Sequence, residues 1–126
     1  MPLFFVIACE HVACFTWDGT LTTWNYPNFI HHTTPRADSW LITAPTGIIV
    51  TIHFVDFRLE DAQCLRDYLI IYDGNSVSDP RIGDDKYCYT YSPLCQETSS
   101  NNMLVTFTSN HERHYRGFSA KVYFGG

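Results

Sequence analysis

The chain has 126 residues and a mass of 14.5 kDa, the size of one ordinary domain. Its 45 % hydrophobic and 17 % charged content supplies a packed core and argues against disorder. The 8 Lys and Arg against 13 Asp and Glu leave a net charge of −5 with no basic run, which argues against nucleic-acid and anionic-membrane binding.

Leu3-Phe4-Phe5-Val6-Ile7-Ala8 opens the chain and falls short of the roughly 18 apolar residues a membrane span needs. It reads either as the tail of a secretory leader or as a first strand, so residues 1–13 are set apart as a leader remnant or N-terminal extension. The domain proper is expected over 14–124. Period-two alternation then dominates, and no window carries a helical period. Trp40-Leu41-Ile42-Thr43 alternates and ends in the turn signal Ala44-Pro45-Thr46-Gly47. Ile48 to Phe57 is the clearest strand, with Val50, Ile52 and Phe54 on one face and Thr51 and His53 on the other. Tyr68 to Tyr72 is a continuous apolar run closed by Asp73-Gly74, which predicts a buried strand. Met103, Val105 and Phe107 share one face of 103–108, and Phe118, Ala120, Val122 and Phe124 repeat the pattern. Residues 74–86 and 91–102 read as connections. Short strands with polar turns and no helix between them predict an all-β, antiparallel sandwich of two sheets. Trp40, Phe54, Phe107 and Phe118 fit inward positions, whereas Trp17 and Trp24 stand in loop-like context.

Five cysteines fall at 9, 14, 64, 88 and 95, none spaced as C-x-x-C. Long spacings in one small domain indicate a disulfide framework and a compartment outside the cytosol, extracellular or secreted.

The motifs arrive in a recognisable order. Gly19-Thr20-Leu21-Thr22-Thr23 leads to Asn25-Tyr26-Pro27, then to Trp40-Leu41-Ile42-Thr43-Ala44-Pro45. Phe57-Arg58-Leu59-Glu60, Cys64, Asp67-Tyr68-Leu69-Ile70-Ile71 and Asp73-Gly74 follow. Cys88, Ser100-Asn101-Asn102, Val105-Thr106-Phe107-Thr108-Ser109 and Gly117-Phe118-Ser119-Ala120 close the series. From about Cys14 to Phe124 the chain closely resembles the CUB domain family of extracellular modules. The resemblance implies a jelly-roll-like β-sandwich, non-catalytic and engaged in protein–protein interaction. It also implies a Cys64–Cys88 disulfide. The family's other bridge is altered here, because Ser39 stands where its second cysteine falls. Cys14 is thus left with Cys95, Cys9 or another chain as partner.

Many members of the family bind calcium at one end of the sandwich. Carried over residue by residue, the resemblance assigns ligands to Glu60, Asp67 and Asn110, and Glu112 would restore the charge that the Asn110 amide lacks. A hard divalent cation takes six to eight oxygens, and separate loops supply them only where strand ends converge. By the same resemblance, Glu60 and Asp67 would accept a Lys or Arg side chain from an extracellular protein partner, with His111 and Tyr115 as rim contacts. The competing reading leaves Glu60 and Asp67 as a solvated rim paired with Arg58 or Arg66. A second functional reading is a metal-independent, spermadhesin-like module that stacks exposed aromatics on a glycan.

Enzyme chemistry finds little support. His111-Glu112-Arg113-His114 is one residue short of the zinc-protease helix motif, so its imidazoles cannot share a helical face at i and i+4. The adjacent His31 and His32 point to opposite sides of an extended chain. No Gly-x-Ser-x-Gly elbow exists. The expectation is therefore no catalytic residue and calcium as the one cofactor.

Overall fold

A computed structural model describes residues 19–23, 36–59, 63–65, 67–109 and 117–125, together with the backbone of 12–15; Arg36 too is described by its backbone alone. The elements in chain order are β1 (Val12–Phe15), β2 (Thr20–Thr22), β3 (Arg36–Thr43), β4 (Val50–Arg58), β5 (Tyr68–Tyr72), β6 (Cys95–Glu97), β7 (Asn102–Ser109) and β8 (Gly117–Phe124). They form two four-stranded sheets, ordered β1-β3-β7-β5 and β2-β8-β4-β6, and no helix occurs among the described residues. Every pairing is antiparallel except β1 with β3, which runs parallel from Val12↔Ser39 to Phe15↔Ile42. The expected all-β sandwich is the fold, with this one parallel pair added at an edge.

The inner faces follow the alternation. Trp40 and Ile42 of β3, Leu69 and Ile71 of β5 and Met103, Val105 and Phe107 of β7 meet Leu21 of β2, Val50, Ile52 and Phe54 of β4 and Phe118, Ala120 and Val122 of β8. Phe54 and Phe57 both point inward although three residues apart. The β4–β8 register shifts between Phe54 and Asp56, and this bulge resets which side chains face the core. The aromatic centre is Phe118, with ring centroids 5.5 Å from Phe54, 5.6 Å from Phe107 and 5.7 Å from Trp40.

β5 is buried on both faces, as its unbroken apolar run predicts. Its outward residues Ile70 and Tyr72 pack with Leu104 in a second cluster, flanked by Leu41 and Tyr68. The Lys86 ammonium lies 4.2 Å from the Tyr68 ring centre, and the Arg81 guanidinium 5.7 Å from that of Tyr72. These contacts let two long cations cover aromatic faces while their charges stay hydrated.

Gly117 starts β8 at φ +86°, in the left-handed region, with its α-carbon tight against Thr23. The Thr23 hydroxyl accepts a hydrogen bond from the Phe118 amide at 3.2 Å, and the Thr23 amide donates to the Phe118 carbonyl at 3.2 Å. A β-carbon at 117 would collide with the Thr23 hydroxyl oxygen. Gly117→Ala is therefore expected to cost about 2 kcal/mol, read as a lower urea midpoint at unchanged slope. A change below about 0.5 kcal/mol would contradict the close approach.

Candidate metal centre and docking end

Antiparallel pairing brings several chain ends to one tip of the sandwich. β5 begins where β7 ends, through Tyr68↔Thr108, and β4 ends where β8 begins, through Arg58↔Gly117. β3 starts beside the same end of β7, at Arg36↔Ser109. The described neighbours of the predicted ligands thus stand at strand ends: Leu59 just past β4, Asp67 just before β5 and Ser109 at the close of β7.

Asp67 is the predicted ligand that the described residues include. It is 3 % exposed, and the register one step beyond Tyr68↔Thr108 sets it opposite Ser109, which is 1 % exposed. A carboxylate this deep persists only where hydrogen-bond donors or a cation meet it. Glu60, Asn110, His111, Glu112 and Tyr115 lie outside the described residues, as do Arg66, Trp17, Trp24, His31, His32 and His114. Among the described residues no three His, Cys, Asp or Glu side chains gather as a metal group.

Leu59 and Cys64 are each anchored to the Cys88-Tyr89 stretch. The Leu59 amide donates to the Tyr89 carbonyl at 2.8 Å, and Leu59 itself is fully buried. One residue away, Cys88 is bridged to Cys64 with their α-carbons 5.3 Å apart, the pairing that the resemblance implied. Cys64 and Tyr89 both take φ +57°, so the backbone turns sharply on either side of this anchor. The Arg58 guanidinium stands 5.6 Å from the Tyr89 ring centre. Asp56, four residues before Glu60, sits within β4 opposite Ser119.

Two exposed apolar side chains on segments next to this anchor escaped the sequence reading. Leu65 is 76 % and Tyr91 59 % exposed, and Tyr91 packs edge-on against Tyr89 at 5.6 Å. Tyr89-Thr90-Tyr91 beside Cys88 carries a faint signal of its own, two aromatics inside a turn-rich stretch. Cys95 is a free, exposed thiol, so the Cys14–Cys95 pairing is not formed.

Acids at the far tip have other work. The Asp73 carboxylate accepts from the Ser99 amide at 3.0 Å and the Ser99 hydroxyl at 2.7 Å, and Asp79 accepts from the Asn75 and Ser76 amides, each at 3.0 Å. Asp79 closes a local turn, and Asp73 ties the end of β5 to the segment that leads into β7.

Comparison with known proteins gives one consistent result. A family model described as CUB domain matches residues 9–122. Cubilin of Rattus norvegicus is 36 % identical over 104 residues, which is 82 % of this chain and 3 % of cubilin. A bone morphogenetic protein 1 homolog of Strongylocentrotus purpuratus is 35 % identical over 106 residues, 83 % of this chain and 16 % of that protein. The chain therefore spans a small fraction of these relatives. Among solved structures, the full extracellular region of zebrafish Adgrg6 aligns with a TM-score of 0.76 at 29 % identity, covering 95 % of this chain and 15 % of that one. The MASP-1 CUB2 domain bound to Ca2+ aligns with a TM-score of 0.72 at 28 % identity, covering 91 % of this chain and 99 % of that domain.

Proposed function

The chain belongs to the CUB domain family of extracellular protein-interaction modules, and we propose that it is a non-catalytic member whose docking end is organised by calcium. Glu60, Asp67, Asn110 and Glu112 supply the ligands. Glu60 and Asp67 then receive a Lys or Arg side chain of a partner protein, and His111 and Tyr115 form the rim.

The observation that carries this reading is the buried Asp67 carboxylate, set at the head of β5 beside the end of β7. The donor set suits the ion: three carboxylates and an amide oxygen are hard ligands of the kind calcium selects. The likeness to a CUB domain bound to Ca2+ supports the same assignment. Calcium here would contribute positive charge and loop order. Fixing the segments around Glu60 and Asn110 beforehand lowers the entropy lost when a partner docks. The anchoring of Leu59 and Cys64 serves the same end from the protein side.

Calorimetric titration with Ca2+ tests the reading. Wild type should release a saturable heat and gain about 2.7 kcal/mol of stability at a hundredfold excess over the dissociation constant. Glu60→Gln and Asp67→Asn should each weaken binding by tenfold or more. Because Asp67 is buried, the thermal transition of Asp67→Asn without calcium separates lost ligation from lost folding. Full calcium affinity in both variants, or no heat from wild type, would overturn the assignment.

A further inference from the structure

Among the described residues β6 is the last strand of its sheet, paired with β4 on one side only. Hydrogen bonds from the Phe54 amide to the Leu94 carbonyl (2.8 Å) and from the Thr98 amide to the Val50 carbonyl (2.9 Å) set the phase of that pairing. Residues 50, 52 and 54 bond across the ladder, so His53 and Cys95, which face each other in the register, form a non-hydrogen-bonded pair. In such a pair the α-carbons stand about 4.5 Å apart and the side chains leave the same face close together. Ile52 and Phe54 point into the core, so His53 points outward, and both His53 and Cys95 are exposed.

Imidazole nitrogen and thiolate sulfur are the donors that zinc-class ions favour. A tetrahedral ion held at about 2.0 Å from nitrogen and about 2.3 Å from sulfur needs the two atoms roughly 3.5 Å apart. Two side chains with β-carbons about 5 Å apart reach that separation without moving the backbone. One pair leaves a four-coordinate ion two ligands short, and no third His, Cys, Asp or Glu among the described residues completes the set.

The same phase turns the amide and carbonyl groups of Cys95 and Glu97 away from β4 to the open margin, where no hydrogen bond among the described residues takes them up. A second copy related by a two-fold axis can lie along that margin, and residues near such an axis meet their own counterparts. Two thiolates would then neutralise the dication. That matters because Lys121 lies directly opposite His53 on its other flank, in β8.

We propose that His53 and Cys95 are half of a zinc-class metal site at the free edge of β6, completed by the same pair of a second copy. The site is separate from the calcium end in position and in chemistry, sulfur and nitrogen against oxygen.

Co2+ titration of the full chain, with calcium present, reads the site directly. Wild type should show thiolate-to-cobalt charge-transfer absorption and tetrahedral d–d bands that saturate at one ion per two chains. The mass by light scattering should double at the same stoichiometry. His53→Gln and Cys95→Ser each replace an exposed side chain and should weaken both signals tenfold or more, with unchanged circular dichroism. Absent bands, bands that persist in either variant, or a monomeric one-to-one complex would overturn the proposal. So would a metal-independent dimer dissolved by reductant and abolished by Cys95→Ser, which would assign Cys95 to an interchain disulfide.

Discussion

Phe118→Ala should remove about 4 kcal/mol of unfolding free energy, near the upper end for a single core substitution. Phe118 is fully buried, and its ring is surrounded by aromatics from both sheets: Trp40 and Phe107 on one, Phe54 and Phe57 on the other. Four rigid neighbours with centroids between 5.5 and 6.3 Å have few rotamers with which to fill the space left behind. Edge-to-face contacts with Trp40 and Phe107 add to the burial term. Against a total of roughly 5–15 kcal/mol for an ordinary domain, the variant would approach the threshold of stability at 37 °C. Phe118→Leu keeps most of the volume and should cost about 1.5 kcal/mol. Urea unfolding of the two variants decides the matter: equal losses would mean that the ring cluster contributes nothing beyond hydrophobic volume.

The elements that sequence reading located are those whose pattern is set locally by burial. β4, β7 and β8 each alternate because one face meets the core, and β5 is uniformly apolar because both faces are covered. β6 escaped because Cys95-Gln96-Glu97 has neither alternation nor β-branched residues; its strand geometry comes from the β4 backbone beside it. The inward turn of Phe57 was hidden for a related reason, since a bulge shifts the phase without leaving a mark such as Gly or Pro. The parallel docking of β1 is likewise a property of its partner β3. Of the proposed ligands, Asp67 was legible from its place in a motif series. Its depth was not, because burial there depends on how β5 and β7 end together. Leu65 and Tyr91 were missed because single exposed apolar residues in turns carry no periodic signal.

Removing the disulfide with Cys64→Ala and Cys88→Ala together should cost about 3 kcal/mol, the loop-closure value for a separation of 24 residues. For a domain of this size that corresponds to a fall of roughly 10 °C in Tm. The paired substitution leaves no orphan thiol at position 88, which is fully buried. Its second effect should be local. Cys64 lies between Glu60 and Asp67 in the sequence, and the bridge ties it to Cys88, next to Tyr89, where the Leu59 amide is also bound. Without the bridge, calcium would have to order the segment itself, and its affinity should fall about tenfold at temperatures where the domain is still folded. Phe118→Leu is the control, because it weakens the core while leaving the Cys64–Cys88 bridge and all four proposed ligands in place. The two variants should therefore separate, with calcium affinity preserved in Phe118→Leu and reduced in the disulfide variant. Equal calcium affinities in both would restrict the bridge to global stability and leave the order of the Glu60–Asp67 segment to other contacts.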